Sequence, residues 1–155
     1  MLQRLIRSFH YAFRGIAIAV AGEQNMQIHL AAACAAAALG VIARLSPERW
    51  AAVVICCGLV MALEAVNTAI EAACDNMPTE QNSLKGTAKD VAAGAVLIAA
   101  IGSVIVAGFV FCTGEPWQNI TAALTEKPVA TVAVVILPAL LILCLCRLIP
   151  KFRRK

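Results

Sequence analysis

Long apolar runs separated by short polar breaks organise the chain. Three runs come first, at residues 28–44, 50–73 and 90–112, and a fourth begins at residue 129 after a polar interval. A helix needs about 20 apolar residues to cross the hydrocarbon core of a bilayer, with about 17 as the lower limit. Each run therefore predicts a membrane-spanning helix. The first is the shortest and is rich in alanine, notably at 31–33 and 35–38. Alanine suits close helix–helix packing better than lipid contact. No run shows the alternation that a barrel strand requires.

Residues 2–21 have a different pattern. Leu2, Leu5, Ile6, Phe9, Phe13, Ile16 and Val20 share one helical face about 100° wide, with Gln3, Arg4, Arg7, Tyr11 and Arg14 opposite. Such a helix lies along a membrane surface. Ser46 and Pro47 read as an N-cap and a first helical residue, and Trp50 follows at interfacial depth. Pro78, Asn82, Ser83 and Gly86 mark a loop within 74–88, and Gly114, Pro116 and Pro128 mark 113–128 as an external linker. The expected architecture is an all-α integral membrane protein. A domain over 1–112 holds an amphipathic surface helix and three core transmembrane helices. An extra transmembrane helix with a basic tail occupies 129–155. No signal peptide is expected, because Glu23, Gln24 and Asn25 precede the first run.

Composition excludes the soluble classes. Hydrophobic residues make up 61% of the chain and charged residues 14%, against about 25% charged in a soluble domain. Arg4, Arg7, Arg14, Lys85, Lys89, Arg147, Lys151, Arg153, Arg154 and Lys155 fall on one side of the predicted spans; only Arg44, Arg49 and Lys127 fall on the other. The positive-inside rule places both termini in the cytoplasm, a parity that requires an even number of spans. The basic tail then reads as a topology anchor, with no nucleic-acid partner. Cys34, Cys56, Cys57, Cys74, Cys112, Cys144 and Cys146 lie mostly in apolar runs, where cysteine acts as a small hydrophobe. They form neither a disulfide framework nor a metal motif.

The chemistry lies in the acidic residues. Glu64, Asn67, Thr68, Glu71 and Asp75 fall within one stripe about 100° wide on the second span. At 1.5 Å rise per residue, Glu64 is about 10 Å deeper than Glu71. A charge near the bilayer centre costs at least about 2.5 kcal/mol, so such a stripe marks function. Glu23, Glu80 and Asp90 gather at the same mouth, bringing six of the nine acidic residues to one membrane face. Carboxylates at this density repel one another unless cations bridge them. Magnesium, which binds through one or two carboxylates plus phosphate oxygens, is the natural bridging ion.

A magnesium-phosphate site beside a buried carboxylate outlines a phosphotransferase, with Glu64 accepting the proton of a lipid hydroxyl and Lys89 neutralising the transferring phosphate. There is no GxxxxGK[ST] and no protein-kinase motif. A small cation or proton transporter would use a similar stripe, and a non-catalytic membrane subunit would use it to hold helices together.

Glu64-Ala-Val-Asn67-Thr-Ala-Ile-Glu71-Ala-Ala-Cys-Asp75 resembles the signature E-x-x-N-[ST]-A-I-E-x-x-x-D of the prokaryotic diacylglycerol kinase and undecaprenol kinase family. Lys89-Asp90-Val-Ala-Ala-Gly94 resembles the family's second motif. Ser8-Phe9-His10-Tyr11-Ala12-Phe13-Arg14-Gly15 and the segment from Glu23 to His29 also fit. The resemblance implies an ATP- and Mg2+-dependent kinase of a membrane lipid alcohol in the bacterial inner membrane. It implies a homotrimer with active sites between subunits at the membrane–cytoplasm interface. Glu64 matches the catalytic base and lies at the lipid substrate, and Asn67 helps order that centre. Glu23 and Glu71 match metal ligands. Arg4, Tyr11, Glu23, Glu71, Asp75, Glu80, Gln81, Asn82, Lys89 and Asp90 match positions that contact ATP. Three features depart from the family pattern or divide its branches. The fourth run, containing Pro138, is extra; Gln27 stands where many members carry a basic residue; and Val-Ala-Ala-Gly resembles the undecaprenol kinase branch more closely.

Overall fold

The computed structural model of the protein describes residues 1–78 and 82–148. The expectations for Glu80, Gln81 and the tail from Lys151 onward lie outside the described residues, and of Asn82 only the backbone is described. Among the described residues the chain forms six helices and no strand: α1 Leu2–Gly22, α2 Gln24–Ala43, α3 Pro47–Asp75, α4 Asn82–Phe111, α5 Glu115–Glu126 and α6 Pro128–Leu148. Four of them, α2, α3, α4 and α6, are long and apolar enough to cross a membrane. The protein is thus an all-helical integral membrane protein, as the hydrophobic pattern predicts.

The long helices pack side by side in the order α4–α3–α2–α6. Their outward faces are strongly apolar: Ile98, Val104, Phe109 and Val129 are exposed, as side chains facing lipid should be. α1 joins the bundle only through its last turn, at the buried Ala19 and Ala21. Its remaining apolar face, including Phe9, Phe13 and Ile16, is unpacked, in keeping with a surface helix. A single extended residue, Glu23 (φ −111°, ψ 123°), makes the elbow between α1 and α2.

The other end of the bundle is tied by capping. Arg44 adopts the left-handed conformation (φ 52°, ψ 52°), and the backbone N–H groups of Leu45 and Arg44 donate to the carbonyls of Gly40 and Val41. This is the Schellman arrangement, here without its usual glycine. Ser46 and Pro47 then start α3 as N-cap and first helical residue. Arg49 Nη1 donates to Val110 O at 2.6 Å, a carbonyl at the end of α4 that helix geometry leaves open, and to Thr113 O just beyond the helix at 3.1 Å.

Twelve of the residues expected as a linker over 113–128 form α5. Gly114, Pro116 and Pro128 suggest breaks, but both prolines stand at helix starts, where the missing N–H is harmless. α5 buries Ile120 against Ala43, Leu45, Val53, Val110 and Phe111, and Asn119 Nδ2 donates to Ala43 O at 3.0 Å. α6 stays helical through Pro138.

Gly40 makes the tightest contact at this end. A Cβ placed there would come within 2.8 Å of Trp50 Cη2 and 3.2 Å of Leu45 Cδ1. Gly40→Val should therefore lower stability by about 1–3 kcal/mol, the usual penalty for overpacking. Thermal unfolding in detergent checks this: Trp50→Ala should destabilise less in the Gly40→Val background than in the native protein. Additive losses would place the strain elsewhere.

Candidate active site

The spacing of residues 64, 67, 68, 71 and 75 places them on one face of α3, and the structure grades that face by depth. Glu64 is 2% exposed and Asn67 5%; Thr68 is buried, Glu71 half-buried and Asp75 exposed. Thr68 Oγ1 donates to the backbone carbonyl of Glu64 at 3.0 Å, so its hydroxyl is absorbed by the helix and leaves the Glu64 carboxylate alone. Asn67 Nδ2 donates to Glu71 Oε1 at 3.0 Å. Its buried Oδ1 has no hydrogen-bond partner among the described residues. Orphaned buried acceptors are rare in folded proteins and call for an explanation.

At the wet end of the stripe, Asp75 Oδ1 accepts a hydrogen bond from Lys89 Nζ at 2.5 Å. This pair ties the end of α3 to the first turns of α4. Two further contacts shape the junction: Lys85 Nζ donates to Met77 O at 2.6 Å, and Asn76 Nδ2 to Ala72 O at 2.7 Å. Asp90, next to Lys89, is exposed.

The start of α2 supplies the opposite wall. His29, Glu71 and Glu23 lie within electrostatic range of the Glu64 carboxylate, and the Asn25 side chain is in hydrogen-bonding reach of it. Asn25 and His29 had no role in the sequence reading. They are four residues apart, hence on one face of α2, in an otherwise alanine-rich helix; that spacing was the available signal.

The structure does not bring every expected residue to the centre. Residues 1–18 are exposed, so Arg4 and Tyr11 stand on the unpacked part of α1. Tyr11 is about 18 Å and Arg4 about 28 Å along the helix from Glu23, at 1.5 Å per residue. Among the described residues, no three His, Cys, Asp or Glu side chains are grouped closely enough to hold a metal ion.

Beside the stripe, α3 and α4 frame a groove of about 630 Å³. Leu63, Val66, Ile70, Leu84 and Val91 make it apolar, and Asn67 is a polar member of its lining. Val66, Leu84 and Val91 are exposed at its rim. Of the stripe residues 64, 67, 68, 71 and 75, Asn67 is the one that lines this groove.

Comparison with known proteins gives a consistent picture. Residues 10–111 match the family model described as prokaryotic diacylglycerol kinase. The undecaprenol kinase of Bacillus subtilis is 39% identical over 110 residues, 71% of this chain and 89% of that protein. A diacylglycerol kinase of Synechocystis is 39% identical over 105 residues, 67% of this chain and 60% of that protein. The diacylglycerol kinase of Escherichia coli is 51% identical over 47 residues, 30% of this chain and 38% of that protein. No solved structure matches the chain.

The orphaned Asn67 oxygen separates a working site from helix glue. Leaving a buried polar atom unsatisfied costs about 1–3 kcal/mol, so removing Oδ1 offsets the loss of the bond to the half-buried Glu71, which water can replace. Asn67→Leu should therefore leave the thermal midpoint unchanged or higher, while activity is lost. A clear drop in the midpoint would instead make Asn67 a residue that holds helices together.

Proposed function

Because the chain belongs to the prokaryotic diacylglycerol kinase family, and is thus a multi-pass bacterial membrane protein and a lipid kinase, we propose that it transfers the γ-phosphoryl group of ATP to the primary hydroxyl of diacylglycerol or undecaprenol. The observation that carries this reading is the buried Glu64 carboxylate on the face of α3 that it shares with Asn67 and Glu71, Asn67 also lining the apolar groove. In the groove a lipid chain would be held with its hydroxyl at the level of the stripe. Glu64 would take the hydroxyl proton as the lipid oxygen bonds to the γ-phosphorus and the bond to ADP breaks. A base that is 2% exposed keeps water away from the reacting phosphorus, which favours transfer to lipid over hydrolysis.

The remaining roles follow from charge. Lys89 would neutralise phosphate oxygens, with Asp75 fixing its ammonium group. Asp90, Glu80, Gln81 and Asn82 would complete the nucleotide contacts at the cytoplasmic surface, together with Arg4 and Tyr11 of the surface helix. Magnesium would be held by Glu23 and Glu71. The donor set fits this ion, since two carboxylates and the unpartnered Asn67 Oδ1 are hard oxygen ligands of the kind it prefers. Arriving with ATP, it would neutralise the phosphate charge that these carboxylates would otherwise repel. In the usual magnesium-nucleotide pattern, phosphate oxygens and water complete the shell begun by one or two carboxylates.

Both termini would lie on the cytoplasmic side of the inner membrane, where ATP is found. The active assembly would be a homotrimer with sites between subunits. The exposed Arg4 and Tyr11, remote along α1 from their own Glu23, suit a surface helix that also reaches a neighbour's site.

Labelled ATP and magnesium, supplied to the protein in mixed micelles with diacylglycerol or undecaprenol in parallel, test the proposal. Transfer to at least one lipid is expected, lost on chelation of magnesium, from a particle whose detergent-corrected mass is three chains. A folded protein that labels neither lipid would overturn the kinase substrates named here.

A further inference from the structure

The α6 helix lies beyond residues 10–111 that the family model matches, yet it packs extensively along α2. Its last turn meets the α1–α2 elbow and closes a cavity of about 430 Å³ there. Gln24, Gln27 and Arg147 form the polar part of the lining; Ile28 and Leu143 are among its apolar members. No carboxylate lines it among the described residues. Glu23, between the lining residues Gly22 and Gln24, is within electrostatic range of Glu64. Arg147 is the charged side chain among the described residues that line the cavity.

Arg147 has no carboxylate partner among the described residues. Its place at the C-terminal end of α6 favours a cation there. A planar guanidinium matches the geometry of phosphate oxygens. Gln27 Nε2 donates to Val20 O at 3.0 Å across the elbow, fixing the α1 side of the cavity to α2. The depth is also informative. At this elbow an unpacked amphipathic helix turns into a membrane-crossing one, which is the level of lipid headgroups.

We propose that this cavity binds the phosphate headgroup of an anionic phospholipid. The phosphate lies against the Arg147 guanidinium and the side-chain amides of Gln24 and Gln27, and the first methylenes of the lipid cover Ile28 and Leu143. A free phosphate would satisfy the guanidinium but leave the apolar floor wet. The two-sided lining therefore selects a lipid over a soluble anion. α6 thus contributes a lipid site, in addition to a further membrane span.

Native mass spectrometry of the full chain, released from micelles containing equal phosphatidylglycerol and phosphatidylcholine, tests this without reference to catalysis. The native protein should retain phosphatidylglycerol preferentially. Arg147→Gln should reduce that retention about tenfold, the scale of one charge-assisted hydrogen bond. Arg7→Gln, which removes a positive charge from the exposed part of α1, should leave it unchanged. Gln24→Glu guards against a folding defect in the first variant, because a carboxylate in the first turn of α2 favours the helix while repelling the headgroup; it too should lose the lipid. Equal retention of the two lipids overturns the proposal, as does an equal loss in Arg7→Gln. Displacement of the lipid by inorganic phosphate at matched concentration would make this a soluble-anion site and overturn it as well.

Discussion

A carboxylate at 2% exposure inside a bundle of lipid-facing helices is the constraint on which this structure turns. Glu64 cannot be solvated by bulk water, and burying a charge without partners costs several kcal/mol. The surroundings answer that cost locally: Asn25 and His29 on α2 approach the carboxylate, and Thr68 stays bound to the helix backbone. Farther along the face, Asn67 holds Glu71, and Asp75 is paired with Lys89. The gradient runs from a dry carboxylate to a wet ion pair within a single helix face. A catalytic base for a lipid hydroxyl needs both ends of that gradient, since the alcohol arrives from the bilayer and the nucleotide from water.

The packing serves the same end. α3 is flanked by α4 and α2, so each wall of the centre comes from a neighbour in the bundle. At the opposite end, the Arg49 bonds to the end of α4, the Asn119 bond to Ala43 and the Gly40–Trp50 contact lock α2, α3, α4 and α5 together. The tightly tied end and the chemically loaded end are separated by the length of the spans. That separation leaves the polar end free to admit a substrate without disturbing the interhelical contacts that hold the bundle.

Much of this was legible in the sequence, for physical reasons that differ by element. Long apolar runs have one stable solution in lipid, so α2, α3, α4 and α6 follow from hydropathy. The stripe from Glu64 to Asp75 follows from helical periodicity alone. α5 was hidden because Gly114, Pro116 and Pro128 read as breakers, although both prolines occupy helix starts. Asn25 and His29 were missed because their role depends on which face of α2 turns toward α3, a tertiary property. Periodicity put Arg4 and Tyr11 on the polar face of α1, where they are exposed, but does not say what that face meets.

The central claim is that Glu64 accepts a proton rather than merely bonding helices together. Glu64→Gln separates the two, because glutamine keeps the shape and hydrogen-bonding capacity but cannot serve as the base. The measurement is turnover of lipid phosphorylation by this variant under saturating ATP and magnesium, alongside its thermal midpoint. General-base catalysis is worth about 10²–10⁴-fold, so the account predicts a loss of that order with the fold intact. Turnover close to that of the native protein would contradict it and leave the stripe as a structural seam.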